Sequence, residues 1–403
     1  MSEWQSQNIG TLIRLITKGT TPNKAMGGFS ESGINYIKSE SISYDGRIDS
    51  SKFAFIDEKV HQELKRSQLQ KDDILFSMAG AYLGKSAIVQ EEHLPANTNQ
   101  ALAIIRLDQS KAYPKFINYF FRHPNVIDYV NNLSGQSAQP NINFEEIKSI
   151  EVGLPILPEQ KAIASVLSSL DDKIDLLHRQ NRTLEAMAET LFRQWFIEEA
   201  KEDWEEKTIG DIFTIKGGGT PSTKEPSYWD GGIAWTSPRD LSTAKSLYMF
   251  STERTITELG LTKVSSGLLP VGTLLMSSRA PIGYLALTDI EVAVNQGYIA
   301  ILKHDLYSNE FMYLWCKANM ELIKNSGNGS VFQEISKASF RELPFVCPPE
   351  PLLKEFNDRC INWFSKIKLN TKQIQTLENL RDTLLPKLMS GEVRVQYQTE
   401  EVA

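Results

Sequence analysis

The sequence has few of the residues that mark secreted or metal-binding proteins. Three cysteines occur among 403 residues, Cys316, Cys347 and Cys360, and no CxxC pair indicates a disulfide framework or a zinc site. The five histidines are scattered, which does not fit a set of metal ligands. No run of about 18 apolar residues is present, and the first residues lack the basic and apolar regions of a signal peptide. We therefore predict a cytoplasmic protein with reduced thiols and no bound metal.

The sequence also lacks an excess of positive charge. Its net charge is -7, and no segment of the chain is strongly basic. A protein that holds a phosphate backbone by its own charge usually shows a basic patch. Any contact with nucleic acid must therefore use a locally clustered face or the charge of a partner.

Motifs for catalysis are missing as well. The chain has neither the Asn- or Asp-Pro-Pro-aromatic loop of an adenine methyltransferase nor a glycine-rich turn for its methyl donor. The stretch 79–86 satisfies a relaxed nucleotide-loop pattern, but such a loop opens a helix, whereas Ala87-Ile88-Val89 predicts a strand. We predict no catalytic residue and no cofactor in this chain.

The sequence does contain a long internal repeat. Trp4, Ile9-Gly10 and Thr21-Pro22 recur about 200 residues later as Trp204, Ile209-Gly210 and Thr220-Pro221. The offset falls to 193 after Pro155, where 11 of 34 residues of 158–191 are identical in 351–384. Average composition gives roughly 2 identities by chance. Two copies of one framework with different loops suggest two related sites that read different things.

Each copy begins with about 150 residues of short apolar runs, such as 73–76 and 103–107 in the first copy or 273–276 and 299–302 in the second, which predict strands. A short helix is predicted near 116–133 and again at 311–324. The fold class is therefore α/β (α+β), with two mixed lobes. The predicted domains are lobe 1 (1–153), a hinge and first helix (154–200), lobe 2 (201–346) and a hinge, second helix and tail (347–403).

A long helix follows each proline-rich hinge, because apolar residues recur at alternating spacings of three and four, as on a coiled-coil seam. About 40 residues at 1.5 Å per residue make each helix roughly 60 Å long. The simplest arrangement pairs them antiparallel, with a lobe at each end. The residues predicted to pair the helices or bind a partner are Leu170, Ile174, Leu177, Leu184, Leu191, Ile367, Ile374, Leu377 and Leu384.

Polar residues interrupt this seam. Asn181 and Asn370 fit either buried amides that set the register or solvent-facing residues at a frayed contact. Arg381 breaks the apolar pattern. Pro386 is predicted to kink or end the second helix near Leu385, and Gly391 to close it.

Polar loops occur at equivalent places in the two lobes and are candidates for DNA contact. Arginine and lysine suit guanine edges, asparagine and glutamine suit adenine, and hydroxyls mostly hold phosphates. Positions that differ between the copies are the better candidates for base reading, whereas the repeated Asn99-Gln100 and Asn295-Gln296 fit either base contact or the support of a turn. The candidates are Lys18, Thr20, Thr21, Lys38, Ser77, Tyr82, Lys85, Gln136, Gln139, Asn141, Lys216, Thr220, Ser237, Arg239, Ser278, Arg279, Tyr284, Asn328 and Gln333.

The segments 154–196 and 348–395 resemble the two conserved regions of the specificity subunit of type I restriction-modification systems. The proline hinges, the Lys173-Ile174 and Lys366-Ile367 pairs, the LLPKLMSGE ending at 384–392 and the duplicated lobes occur together in the family's order. The resemblance covers the whole chain.

This resemblance implies a non-catalytic subunit of a methyltransferase and endonuclease complex. Each lobe would be a target recognition domain that reads one half of a bipartite, asymmetric DNA sequence. The helices would set the spacer and dock two methyltransferase subunits, and restriction and translocase subunits would complete the complex. S-adenosylmethionine, ATP and Mg are expected in the partner subunits. The alternative is a coiled-coil interaction scaffold that does not read DNA.

Overall fold

The computed structural model describes residues 4–80, 83–133, 141–243, 246–279, 281–328 and 333–397. The chain forms two compact units. Unit 1 comprises Met1–Lys173 and Leu377–Ala403, and unit 2 comprises Ile174–Thr376. Each unit therefore contains one lobe and part of each of two long helices.

Lobe 1 is built on a four-stranded sheet, in the order β2-β8-β5-β6, and a three-stranded sheet, in the order β4-β3-β7, while β1 pairs with β9. Its strands are β1 (Gln5–Asn8), β2 (Ile13–Lys18), β3 (Ile34–Ile37), β4 (Ala54–Ile56), β5 (Ile74–Ser77), β6 (Ser86–Ile88), β7 (Ala96–Thr98), β8 (Leu102–Leu107) and β9 (Glu151–Leu154). Its helices are α1 (Glu58–Glu63), α2 (Pro114–Phe121), α3 (Pro124–Leu133) and α4 (Phe144–Ser149).

The central strands of lobe 1 are apolar at successive positions because both faces of the sheet are covered. Side chains alternate between the faces along a strand. Ile74 and Phe76 of β5 belong to the core that includes α2, whereas Leu75 belongs to the core on the opposite face.

Lobe 2 repeats this plan. A five-stranded sheet has the order β11-β18-β15-β16-β13, a three-stranded sheet has the order β14-β12-β17, and β10 pairs with β19. Its strands are β10 (Glu205–Thr208), β11 (Ile215–Lys216), β12 (Trp229–Thr236), β13 (Tyr248–Met249), β14 (Arg254–Ile256), β15 (Leu274–Ser277), β16 (Leu285–Thr288), β17 (Ala293–Val294), β18 (Tyr298–Ile301) and β19 (Pro344–Cys347). The helices that accompany them are α6 (Ile209–Ile212), α7 (Pro238–Thr243), α8 (Glu258–Leu261), α9 (Asn309–Ala318), α10 (Met320–Asn325) and α11 (Lys337–Arg341).

The two long helices are α5 (Leu157–Arg193) and α12 (Glu350–Ser390). They pair antiparallel within each unit. In unit 2 Asn370 donates to Asn181 at 2.9 Å, and the rings of Phe192 and Phe356 lie 6.1 Å apart. In unit 1 Arg381 bonds to Asp171 on α5 at 3.0 Å. The predicted fold class, two mixed α/β domains with two antiparallel helices, is confirmed.

The predicted seam residues are all buried or half-buried. Ile174, Leu177, Ile367 and Ile374 are buried, and Leu170, Leu184, Leu191, Leu377 and Leu384 are half-buried. Asn370 is fully buried and bonded to the half-buried Asn181, so the interpretation as a buried amide is correct for Asn370. Arg381 does not interrupt the seam, because its guanidinium is buried and paired with Asp171.

Two predictions about helices are corrected. The single short helix expected in each lobe is two helices, because Pro124 begins α3 after α2 has ended and Asn319 separates α9 from α10. Helix α12 continues through Pro386 to Ser390. The loss of one backbone donor is outweighed there by the buried Leu388 and its neighbours in the lobe 1 core, and Gly391, at φ +71°, closes the helix as expected.

Candidate nucleic-acid interface

The candidate loops of lobe 1 meet at one edge of the four-stranded sheet. Strands β2 and β5 end at Lys18 and Ser77, and both ends lie beside the start of β8. Lys85 directly precedes β6, which runs antiparallel to β5, so it lies at the same edge. A bridge between Ala79 and Asn141 brings the segment before α4 to this edge. The sequence-predicted loops are therefore neighbours in space.

A threonine loop crosses this edge. The amide N–H of Thr20 donates to the carbonyl of Thr98 at 3.0 Å, and the Tyr36 hydroxyl donates to the carbonyl of Thr20 at 3.0 Å. The next residue, Thr21, donates its hydroxyl to Oε1 of Gln100. Burial raises the pKa of Tyr36 to about 12, although its contact with Thr21 acts in the opposite direction, so the phenol stays protonated and can donate at neutral pH.

Lobe 2 holds its threonine loop in the same way. The amide N–H of Gly219 donates to the carbonyl of Val294 at 2.9 Å, and the indole N–H of Trp235 donates to the carbonyl of Gly219 at 3.1 Å. Thr220 donates its hydroxyl to Oε1 of Gln296 at 2.6 Å. We call this arrangement the threonine cradle, residues 19–21 with Tyr36 and Gln100 in lobe 1 and residues 218–220 with Trp235 and Gln296 in lobe 2.

A glycine allows each cradle to close. A Cβ atom on Gly19 would lie 2.0 Å from the carbonyl oxygen of Thr98, and one on Gly218 would lie 1.6 Å from that of Val294. Both distances are far below van der Waals contact with backbone atoms that cannot move aside. The glycine therefore lets the loop lie against the end of the neighbouring strand.

Repeated amide pairs support the cradles. In lobe 2 Asn295 donates from Nδ2 to the hydroxyl of Thr220 at 2.7 Å and accepts the N–H of Gly297 at 2.6 Å. This geometry favours the interpretation that the repeated Asn-Gln pairs support a turn.

Two lysines of lobe 1 lie around this edge. Lys18 is exposed at the end of β2. Lys38 directly follows β3, with its ammonium group 5.0 Å from the ring centroid of Phe29 and 3.8 Å from the carboxylate of Glu40. Phe29 is 46% exposed, so the contact holds a cation beside an accessible ring.

Lys85 contacts an aromatic ring as well. Its ammonium group lies 4.6 Å from the ring centroid of Tyr44, which is largely exposed. Burial, assisted by the charge of Lys52, lowers the pKa of Lys85. The charge of Asp45 acts in the opposite direction. A partly desolvated ammonium gains more from an anionic ligand than a fully hydrated one does.

The polar residues of lobe 2 occupy the corresponding edge. Ser278 donates its amide N–H to the carbonyl of Gly297, which places the next residue, Arg279, near the cradle, with its guanidinium 3.8 Å from the carboxylate of Glu334. Arg239 is exposed on α7. Lys216 instead donates to the carbonyl of Ser266 at 3.4 Å.

The remaining candidates differ in exposure. Ser77 and Ser278 are buried, so neither presents its hydroxyl at the surface. Thr20, Ser237 and Tyr284 are half-buried, and Asn141, Asn328 and Gln333 are exposed. Tyr82, Gln136 and Gln139 lie outside the described residues.

Sequence reasoning missed one arginine at each edge. Arg66 of lobe 1 is exposed and donates to the hydroxyl of Thr20 at 3.2 Å. Arg66 lies in a polar stretch without a sequence pattern that would mark it as a candidate for DNA contact.

Arg254 of lobe 2 could have been found by the repeat. The strand registers pair Tyr36 with Ala54 in lobe 1 and Trp235 with Arg254 in lobe 2, so Ala54 and Arg254 are equivalent positions that differ. The guanidinium carbon lies 3.5 Å from the ring centroid of Trp229 and 5.9 Å from that of Trp235.

The described residues offer little for other chemistry. Within them no group of three or more His, Cys, Asp or Glu side chains is placed to hold a metal ion. The stretch that resembled a nucleotide loop leads into strand β6 rather than a helix, as predicted. In the part of the chain that the structure describes, no helix is long and apolar enough to cross a membrane.

Comparison with known proteins agrees with this architecture. The family model described as "Type I restriction modification DNA specificity domain" matches the chain twice, at residues 1–186 and 201–379. The MjaIX specificity subunit of Methanocaldococcus jannaschii is 26% identical over 98% of this chain and 94% of its own length. The HindI specificity subunit of Haemophilus influenzae is 20% identical over 98% of this chain and its own full length.

A solved structure shares the fold. The crystal structure of the type I restriction-modification S subunit from M. genitalium has a TM-score of 0.62 at 19% identity, with 96% of each chain covered. The two family-model matches together span most of the chain, one for each lobe with its helix. This chain therefore belongs to the type I restriction-modification DNA specificity family and carries two copies of the family's domain.

Proposed function

We propose that this chain is the DNA specificity subunit of a type I restriction-modification complex, in which each lobe reads one half of a bipartite, asymmetric target. The observation that carries this proposal is the duplicated threonine cradle. Both lobes build the same loop support at the same sheet edge, yet the exposed side chains around it differ. A common frame with different exposed groups suits two readers of different half-sites.

Exposed or half-buried cationic side chains around each cradle are the proposed reading residues. In lobe 1 these include Lys18, Lys85 and Arg66, and in lobe 2 Arg239, Arg279 and Arg254. Arginine forms bidentate contacts to guanine in the major groove, and lysine serves guanine or phosphate. The buried Ser77 and Ser278 hold the loops through backbone hydrogen bonds in this proposal.

The subunit is proposed to act without catalytic groups of its own. Methyl transfer, with S-adenosylmethionine, and the steps that need ATP and Mg would belong to two methyltransferase subunits and to restriction subunits. Since the net charge of this chain is -7, its affinity for DNA should be weak until partner subunits close around the duplex. Methyl transfer by the isolated chain would contradict this division of labour.

The long helices offer an apolar surface for such partners. Unit 2 exposes several large apolar side chains on them, and Met187 lies in a groove of about 580 Å³ that Trp363 of α12 also lines. Those exposed by 40% or more are Leu176, Met187, Ile361 and Leu369. Exposed apolar side chains along paired helices are typical of a surface that a further helix covers.

The test of the function is a map of modified bases. The chain would be co-expressed with the methyltransferase subunit encoded in its genomic neighbourhood, and the host DNA sequenced for methylated positions. A single bipartite motif that disappears when the chain is omitted is the expected result. A stable complex with an active methyltransferase and no motif would favour the interaction scaffold instead.

The docking surface has its own test. Met187→Glu places a charge in the groove and is expected to lower co-purification of the methyltransferase at least 10-fold. Thr190→Glu places a charge at a second residue that lines the same groove and should lower co-purification as well. Equal recovery of wild type and Met187→Glu would remove the groove from the proposed interface.

The helices are also proposed to set the spacer between the half-sites. Removal of four residues from α5 shortens it by about 6 Å and is expected to shorten the spacer or abolish recognition. An unchanged spacer with full modification would refute the helices as a ruler.

A further inference from the structure

The two cradles share one exposed side chain, a glutamine. Gln100 and Gln296 occupy equivalent positions in the repeat, and both are exposed. Each accepts the hydroxyl of the cradle threonine, Thr21 or Thr220, through Oε1. The two lobes therefore present the same amide at the same edge.

The orientation of the lobe 2 amide follows from a chain of hydrogen bonds that begins at a backbone donor. The N–H of Gly297 can only donate, so the atom of Asn295 that it meets at 2.6 Å is Oδ1. Nδ2 of Asn295 then donates to the hydroxyl of Thr220 at 2.7 Å. This hydroxyl donates its single proton to Oε1 of Gln296 at 2.6 Å, and a flipped Gln296 would leave that proton without an acceptor in the network of the described residues.

As a result the Nε2 group of Gln296 points away from the threonine. Among the described residues no partner accepts its two protons, and the side chain is exposed. Asparagine and glutamine amides are otherwise free to flip, and here the network selects one orientation. The edge of the sheet therefore presents a fixed pair of N–H donors to whatever binds there.

We propose that Gln296, and Gln100 in lobe 1, grip the DNA backbone by donating to phosphate oxygens and take no part in reading the sequence. A residue of the same type at the same position in two lobes that read different half-sites cannot distinguish those half-sites. Phosphate oxygens are the ligand that is common to every DNA sequence and accepts from amide N–H groups. This inference rests on the proposed function, since it assumes that this edge faces DNA.

The hydrogen-bond networks around the two glutamines are not equally complete. In lobe 1 the Oδ1 atom of Asn99 is buried without a hydrogen-bond partner among the described residues. The first bond of the lobe 2 network, from a backbone N–H to the asparagine, therefore has no counterpart in lobe 1. Thr21 still bonds to Gln100, but no backbone donor selects the direction of that bond. The contribution of Gln100 should therefore be smaller than that of Gln296.

Gln296→Glu tests the proposal with little change of shape. The carboxylate still accepts the hydroxyl of Thr220, while the two outward N–H donors are replaced by an anionic oxygen. We expect the complex with the methyltransferase to lose roughly 10-fold in affinity for a duplex that carries the wild-type motif, and the same factor for a scrambled duplex. The methylated motif itself should not change.

Two further variants complete the experiment. Gln296→Leu removes the donors without adding charge, so it should weaken both duplexes by a smaller factor and leave the salt dependence of binding unchanged. Lys303→Gln is the matched control, because it lowers the net charge by the same amount beyond the opposite end of β18, where Lys303 is exposed. It should bind like wild type, and equal melting temperatures would show that all variants fold.

The possible outcomes separate the alternatives. If Gln296→Glu changes a base in one half of the motif, Gln296 reads sequence and the proposal is wrong. If neither Gln296 variant alters either affinity, the residue only supports the turn. A wild-type complex without any motif would overturn the proposed function, while the scrambled duplex would still show whether Gln296 holds the backbone.

Discussion

The two lobes solve the same structural problem with different buried groups. Both hold a threonine loop through an aromatic donor, Tyr36 or Trp235, and a glutamine acceptor. Behind this shared frame, lobe 1 pairs the fully buried Asp73 with the half-buried Arg106 at 2.7 Å, whereas lobe 2 has Thr273 at the position of the aspartate. The hydrogen bonds that hold the loop are therefore the same in both lobes, whereas the core residues behind the loop differ.

The same contrast recurs where each lobe meets the long helices. In unit 1 Asp171 of α5 accepts from Tyr119 at 2.8 Å, from Arg122 at 3.0 Å and from Arg381 at 3.0 Å. The repeat places Phe364 of α12 at the position of Asp171, and its ring is buried 6.4 Å from that of Tyr313. At this pair of equivalent positions, lobe 1 is therefore held by charge and lobe 2 by apolar packing, although lobe 2 also forms ion pairs with the helices elsewhere, such as Lys317 with Glu185 at 2.8 Å.

The largest expected effect comes from breaking the buried ion pair of lobe 1. Arg106→Leu leaves the fully buried carboxylate of Asp73 without its cation and should lower the free energy of unfolding of lobe 1 by about 4 kcal/mol. The matched change in lobe 2, Thr273→Val, removes one hydrogen bond and should cost about 1 kcal/mol. Hydrogen exchange of β5 and β8 against β15 and β18 measures both, and equal losses would contradict the comparison.

The next effect depends on pH. Burial alone would raise the pKa of Asp171, but Arg122 and Arg381 outweigh it, so the pKa is lowered. The stabilisation is therefore present above the unfolded value of about 4 and is lost as pH falls through the folded pKa. Asp171→Asn should cost about 3 kcal/mol at pH 7 and progressively less below pH 4.

Urea denaturation between pH 3 and pH 7 measures this dependence. Phe364→Leu is the control in unit 2, because it alters packing at the equivalent position without a titrating group. Its destabilisation should be independent of pH. A constant difference between wild type and Asp171→Asn across this range would show that the charge of Asp171 contributes nothing.

A smaller effect is expected on recognition. Arg254 stacks on Trp229, while lobe 1 has Ala54 at the same place. Arg254→Ala should remove about 1–3 kcal/mol of discrimination at one guanine and relax only the half-site that lobe 2 reads. Ala54→Ser is the control in lobe 1 and should leave the motif intact. Relaxation of both half-sites in the map of methylated bases would refute the assignment.

The smallest effect concerns the amide layer between the helices in unit 2. Asn370→Leu leaves Asn181 half-buried without its main partner and should cost about 1 kcal/mol in thermal denaturation. Replacing both asparagines by leucine should recover that stability, because no unpaired amide then remains. If the double variant is less stable than the single one, the two amides stabilise the helix pair and do more than satisfy each other's hydrogen bonds.

Local patterns predicted most of the architecture. The seam on α5 and α12 and the apolar strands β5, β8, β15 and β18 could be predicted from the spacing of apolar residues along the chain. The repeat could be found from sequence identity between the two halves of the chain. The division of the short helices at Pro124 and Asn319 was missed, since a cap changes the backbone locally while the apolar pattern continues across it.

The candidate site was predictable only as a set of loops. The repeat indicated which loops correspond, and differences between the copies indicated candidate readers such as Arg279. The repeat did not distinguish exposed from buried residues, so the buried Ser77 and Ser278 were predicted on the same basis as Arg239. Exposure depends on which strand covers a residue, and this is a consequence of sheet order.

The sequence by itself determined two lobes, two long helices and the identity of the residues at each loop. Only the tertiary structure decided which residues meet. Thr220 and Gln296 are 76 residues apart, and Asp171 and Arg381 are 210 apart, so no local period connects them. Their contacts follow from strand register and helix pairing, which bring distant segments together and leave one exposed glutamine amide on each lobe.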